Sequence, residues 1–191
     1  MTAATDVRQP DPDRQCINLL RHASAKSYTV LRASHRADFR KITSRVQLTL
    51  GDEDASLASL PTNERLERVQ HGHPDAGLEA LYFQYGRYLL LSSSRQDSLA
   101  ANLQGKWNDN LQPPWESKYT ININTEMNYW PAETCNLGET TAGLYNLIQN
   151  TLTSGRRTAR EMYGTDGWVI HHNTDGWGDT EPIDNVTAGI W

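Results

Sequence analysis

Long apolar runs are missing from this 191-residue sequence, and with them any expected membrane span, since no stretch approaches the roughly 18 consecutive apolar residues such a helix needs. Runs of Lys and Arg are missing too. With 18 basic against 23 acidic residues and a net charge of −5, no nucleic-acid footprint and no membrane-surface patch is indicated, and the expected partner is small or neutral. Cysteine is scarce. Cys16 and Cys135 lie far apart without the spacing of a metal site and read as two free thiols. The opening MTAATDVRQPDPDR lacks the apolar core of a secretory leader, so the chain as written reads as soluble and not visibly exported, with its location left open. One sequon, Asn185-Val186-Thr187, carries meaning only if a longer parent protein is secreted.

Aromatic and amide side chains are abundant in one stretch, 102–131, around which the rest is organised. It holds Trp107, Trp115 and Trp130, Tyr119 and Tyr129, and six asparagines (Asn102, Asn108, Asn110, Asn122, Asn124, Asn128) about the rigid turn Pro113-Pro114. Indole faces offer flat apolar area to the C–H faces of a sugar ring, and an asparagine meets a hydroxyl as donor or acceptor, so the stretch has the chemistry of a polyol-binding surface. The competing reading is a long ordered loop whose tryptophans plug a core.

Taken in order, residues 1–26 form a polar lead-in with a short helix from about Asp13. Ser27 is placed to cap a helix whose stripe is Tyr28, Leu31, His35, Phe39 and Ile42, with His35 expected as a hydrogen-bonded core histidine. Alternation of Val46, Leu48 and Leu50 with polar residues predicts a lone strand over 46–50, ended by Gly51. Pro61-Thr62 starts a helix, and His71-Gly72-His73-Pro74 reads as a solvated loop, not a metal site. The segment after Asp75 predicts a long helix with Leu78, Leu81, Tyr82, Tyr85, Tyr88 and Leu89 packed on the core. Helical structure is also expected over 124–134 and over 139–163, where Leu144, Leu147, Ile148, Thr151, Leu152, Ala159 and Met162 share a side and Gly164 caps the end. Beyond it, Trp168, Trp177, His171, His172, Asn173, Asp175 and Asp179 make a second aromatic and polar loop.

Long helices whose loops gather at one end describe a helical barrel with its site at the rim. Closing such a ring takes about twelve helices and well over roughly 300 residues, so this chain reads as a middle piece of a larger protein.

The runs ALYFQYGRYLLLSSSR (80–95), NLQGKWNDN (102–110), PPWESKYTININTEMNYWPAETCNL (113–137) and GWVIHHNTDGWG (167–178) resemble glycoside hydrolase family 95, the α-L-fucosidases and related α-L-galactosidases. YTVLRASHRADFRKITSRVQLTLG and LPTNER resemble the segment leading into that family's catalytic domain, so the resemblance covers roughly residues 27 to 180. It implies a mainly α fold: a linker-like helical and strand segment over 27–74, then the N-terminal part of a truncated (α/α)6 barrel over 75–191. It also implies inverting hydrolysis of terminal α-linked fucose or galactose in a glycan. The water-positioning asparagines of the family carry over to Asn122 and Asn124. Its general acid and supporting aspartate are implied to lie in later barrel segments beyond Trp191, so Glu126, Glu133, Asp175 and Asp179 receive neither role. Resemblance and composition together make Trp107, Asn108, Trp115, His171, His172, Asn173, Asp175 and Trp177 candidates for the pocket wall. No cofactor and no metal is expected, since His171, His172 and Asp175 offer only three clustered ligands. The alternatives are a lectin-like fragment that stacks sugar without catalysis and a vestigial gene product with no independent fold.

Overall fold

A computed structural model describes residues 2–6, 9–52 and 54–183, so the sequon at Asn185 lies outside the described residues. The structure is mainly helical, and the chain divides into two compact units, 1–45 and 46–191.

The first unit holds α1 (Pro12–Ser24) and α2 (Tyr28–Thr43). Asp11 accepts the Arg14 amide at 2.9 Å with Pro12 opening the helix, and Ser27 caps α2 through the Val30 amide at 3.4 Å, as its position predicts. The stripe on α2 is mostly exposed. Ile42 is buried, but Tyr28 is 76% exposed and His35 is exposed, which corrects the expectation of a core histidine. Its ring lies 6.1 Å from that of Phe39, one helical turn on, so it rests along its own helix. A period of 3.6 marks a face without saying what covers it.

In the second unit the strand expected over 46–50 is absent. Alternation suits a strand only where a neighbour pairs with it. Here the Val46 carbonyl takes side-chain donors instead, Gln84 Nε2 at 3.0 Å and Arg87 Nη1 at 3.2 Å. α3 (Ala55–Ala58) is capped by Asp54, and α4 (Thr62–Gln70) begins after Pro61. The loop that follows, with His71 and His73, is exposed.

α4 is tied to α5 (Ala76–Ser93) by a buried clasp. Asp75 accepts the Leu78 amide at 2.8 Å as the α5 cap and also takes Arg65 Nε at 2.8 Å and Nη2 at 2.7 Å. A two-pronged guanidinium–carboxylate pair of this kind fixes geometry as well as charge. The bond to Arg65 holds the Asp75 carboxyl down to about 2, from 3.8. The folded value lies below the unfolded one, so this stabilisation is complete above pH 4 and is lost as pH falls from about 4 towards 2. Thermal melts across that window are expected to show a falling midpoint that is shallower in Asp75→Asn. Identical slopes in the two proteins would remove the clasp as the cause.

The buried side chains include Leu90 and Leu91 of α5, Leu137, and Leu147, Thr151, Thr158 and Ala159 of α8 (Thr141–Tyr163). The aromatic side of α5 is a correction to its expected core role: Tyr82 is 77% exposed, and Leu81, Tyr85 and Tyr88 are also exposed. Tyr85 and Tyr88 instead stack on each other at 5.9 Å, and Tyr88 meets Trp107 at 6.2 Å. Met162, placed on the packed side of α8, is likewise exposed. Gly164 ends α8 in the left-handed conformation, as predicted.

The stretch expected to turn helical does so as α6 (Asn124–Tyr129) and α7 (Pro131–Thr134), with Pro131 opening α7. α6 is anchored by the Tyr129 hydroxyl, which accepts the Ala101 amide at 3.0 Å and donates to Ser94 Oγ at 2.7 Å, while Ser94 donates to the Thr140 carbonyl at 2.7 Å. Burial pushes the Tyr129 hydroxyl's pKa up, keeping it protonated as this network requires.

Candidate active site

Two short strands, β1 (Tyr119–Thr120) and β2 (Asn173–Thr174), join the two aromatic and polar loops. They pair antiparallel, Tyr119 against Thr174 and Thr120 against Asn173, and the Ile121 amide continues the ladder to the His172 carbonyl at 2.8 Å. Asn122 sits on the turn that leaves this ribbon, and Asn124 is the first residue of α6. The ribbon therefore brings the asparagine segment against the His171–Asn173 segment, which lies about 50 residues later in the chain.

The His171–Asn173 segment is buried and internally bonded. His171, His172 and Asn173 are all buried. His171 Nδ1 lies 2.6 Å from the Thr180 carbonyl, which can only accept, so Nδ1 carries the proton and Nε2 is free to accept from the Tyr163 hydroxyl at 2.6 Å. The Asn173 amide nitrogen donates to His172 Nε2 at 2.6 Å. Asp175 is committed to its own loop, with one carboxylate oxygen taking the Trp177 amide at 2.8 Å and the Asp179 amide at 3.1 Å. Asp179 similarly takes the Thr180 amide at 2.8 Å. Gly178 is required here: its φ is 83°, and a Cβ would stand 2.6 Å from the Asn150 carbonyl oxygen.

The remaining candidates are more scattered. Trp107 is half-exposed and lines a hollow of about 340 Å³ with Leu89, Ser93, Gln104 and Asn128. Asn108 closes a local exposed turn, donating to the Asn110 carbonyl at 3.0 Å. Trp115 is 79% exposed on a turn in which Trp115, Glu116 and Ser117 have successive φ values of 54°, 61° and 52°. Residues that the sequence did not single out are Tyr163, Thr180, which acts through its backbone carbonyl, and Gln104. The first two hold His171 from positions 8 and 9 residues away, a pairing no local pattern announces. Among the described residues no group of three or more His, Cys, Asp or Glu side chains converges to hold a metal, and no helix is long and apolar enough to cross a membrane.

Comparison with known proteins places the chain in a family. The sequence profile of the "Glycosyl hydrolase family 95 catalytic domain" matches residues 27–191. Similar proteins include "Alpha-L-fucosidase 2" of Arabidopsis thaliana, 39% identical over 174 residues, a match covering 90% of this chain and 21% of that protein. "Probable alpha-fucosidase A" of Aspergillus niger is 38% identical over 181 residues, covering 93% of this chain and 22% of the relative. The protein of the same name in Aspergillus oryzae is 38% identical over 186 residues, covering 94% and 25%. The chain thus spans between a fifth and a quarter of the length of these relatives. With a family profile matched over most of its length, this chain belongs to glycoside hydrolase family 95, as a partial catalytic domain.

Proposed function

We propose that this chain carries the water-positioning part of a glycosidase site, acting in inverting hydrolysis of terminal α-L-fucosyl or α-L-galactosyl linkages of oligosaccharides. The observation that supports it is the β1–β2 pairing, which sets Asn122 and the start of α6 beside His171–Asn173 in a chain of this family. In an inverting reaction a carboxylic acid protonates the leaving oxygen while water attacks the opposite face of the sugar. Asn122 and Asn124 orient that water. A neutral amide is a poor base, so the pair depends on a carboxylate to take up the proton. Asp175 and Asp179 are occupied in loop hydrogen bonds, and neither is given that role. α5 and α8 are read as helices of an (α/α)6 barrel whose remaining segments, with the acid and the supporting aspartate, belong to a longer parent chain. The buried pair His171–His172 and Asn173 back the water site, and Trp107, Asn108, Trp115, Asp175 and Trp177 form its surroundings.

A second reading, a sugar-binding or vestigial fragment without catalysis, is favoured by the same commitment of Asp175 and Asp179 to their loop. The deciding experiment is incubation of an aryl α-L-fucoside with a longer parent protein that contains this segment, with the released sugar followed by NMR. First appearance of the β-anomer supports the hydrolase reading. Sugar binding without release supports the fragment reading, and first appearance of the α-anomer overturns inversion.

A further inference from the structure

The helix that begins at Asn124 is weakly supported by apolar packing. Of the six residues of α6 only Thr125 and Tyr129 are buried, while Met127 within it and Ile123 and Trp130 at its ends are exposed. A helix this short is not stable in water by itself. Polar contacts at its two ends hold it instead. Before it, the Ile121 amide donates to the His172 carbonyl at 2.8 Å, one residue ahead of Asn122. At its C-terminal end stands Tyr129.

The proton directions around Tyr129 follow from its neighbours. Ser94, the C-cap residue of α5, donates to the Thr140 carbonyl at 2.7 Å, and a carbonyl can only accept. Ser94 Oγ has one proton to give, so it receives the proton of the Tyr129 hydroxyl at 2.7 Å. The phenol oxygen accepts the Ala101 amide at 3.0 Å. Asn128 adds a tie to the same loop, its Nδ2 donating to the Asn102 carbonyl at 3.1 Å. Ser94, Ala101, Tyr129 and Thr140 are all buried, so each of these bonds is costly to leave unmade. α8 closes on the network through Gly143, where a Cβ would stand 2.6 Å from Ser94 Oγ, so Ser94 has no room to move on that side.

Asn124 and Tyr129 lie five residues apart on one helix, a rise of about 7.5 Å. Backbone bonds from the Met127 amide to Ile123 at 2.8 Å and from the Trp130 amide to Glu126 at 3.0 Å transmit the place of the phenol to the start of α6. Among the described residues the Asn122 and Asn124 side chains make no hydrogen bond of their own, so their direction follows the backbone that carries them. Resting on the water-positioning reading above, we propose that Tyr129 is a positioning residue for the hydrolysis, its hydroxyl fixing α6 so that Asn124 meets the attacking water. The phenol acts through Asn124 and touches no reacting atom. Its leverage is geometric, since a misplacement of about 1 Å in a reacting group can cost on the order of 100-fold in rate.

The test uses a longer parent protein that contains this segment, with kcat and KM for an aryl α-L-fucoside measured in the parent, Tyr129→Phe, Asn124→Asp and the double variant. Tyr129→Phe keeps the ring and removes the hydroxyl, and kcat is expected to fall about tenfold with KM within about twofold. In the Asn124→Asp background the same change should cost less than about twofold, because the amide it positions is already gone. Ser94→Ala leaves the Ala101 bond in place and should fall between, and it carries the same comparison if Tyr129→Phe does not fold. Asp75→Asn, which breaks the clasp between α4 and α5, is the control for lost stability: a lower melting temperature with kcat kept wherever the protein stays folded. A loss in Tyr129→Phe that repeats undiminished in the Asn124→Asp background would make the tyrosine structural, and an unchanged kcat would take it out of the reaction. Either result defeats this inference alone. Asn124→Asp with the turnover of the parent defeats the water-positioning reading, and this inference with it.

Discussion

Asn124→Asp is expected to lower hydrolysis of an aryl α-L-fucoside by about 100-fold or more wherever this segment supports turnover, the scale of losing one positioned proton-handling group. The change is nearly isosteric, but it removes the amide's two donor hydrogens and adds a negative charge. On the proposed reading, a water held between Asn122 and Asn124 would need both ends of the amide, one to accept from it and one to donate to it. A carboxylate at 124 also repels any supporting carboxylate brought near, raising one of their pKa values and spoiling the base. Among the described residues neither asparagine's side chain makes a hydrogen bond that the fold needs, and α6 starts without a side-chain cap. The variant should therefore melt with the parent, which separates lost chemistry from lost structure. Turnover within threefold of the parent would take Asn124 out of the mechanism, and a large fall in melting temperature would reassign it to the fold.

Helices were legible in this sequence because their ends carry their own chemistry. Ser27 before Tyr28, Asp75 before Ala76 and Gly164 after Tyr163 each satisfy orphan backbone groups locally, and each stands where it was expected. What covers a helix was not legible. Tyr82, Tyr85 and Tyr88 repeat with the period of a packed face, yet they are exposed, because burial depends on elements far along the chain. Strands failed for the same reason. The alternating run 46–50 pairs with nothing among the described residues, while the two-residue strands at 119 and 173, too short to show any period, do pair. The candidate site was visible as two loops of related composition. Their joining depends on a ladder between positions over 50 residues apart, and the turn that carries Trp115 is bonded to Gln104, whose partners lie 10 and 13 residues away.

Arg87→Met is expected to be among the most destabilising single changes in the second unit, at about 3 kcal/mol, since two backbone acceptors lose buried donors at once. The guanidinium is 1% exposed and reaches three separate places: Nε donates to the Cys135 carbonyl at 3.1 Å, while Nη1 donates to Val46 O at 3.2 Å and to Gln84 Oε1 at 2.9 Å. It thereby joins the end of α7 and the chain entering this unit to the middle of α5. Two effects oppose each other. A buried cation carries a desolvation cost, and replacing it by a hydrophobe of similar length recovers that cost while keeping the packing of its stem. Against this, the half-buried Val46 and Cys135 carbonyls each lose a donor, while Val46 keeps the bond from Gln84. The second effect is expected to win because two acceptors in separate parts of the chain lose a donor at once. A loss of this size corresponds to roughly 10 °C in melting temperature for a chain of this length. Arg87→Lys should fall between, because one ammonium cannot span the separated acceptors that a fork reaches. A methionine variant that melts within 2 °C of the parent would show that desolvation of the guanidinium had cancelled its bonds, and that the join between α5, α7 and residue 46 rests on packing alone.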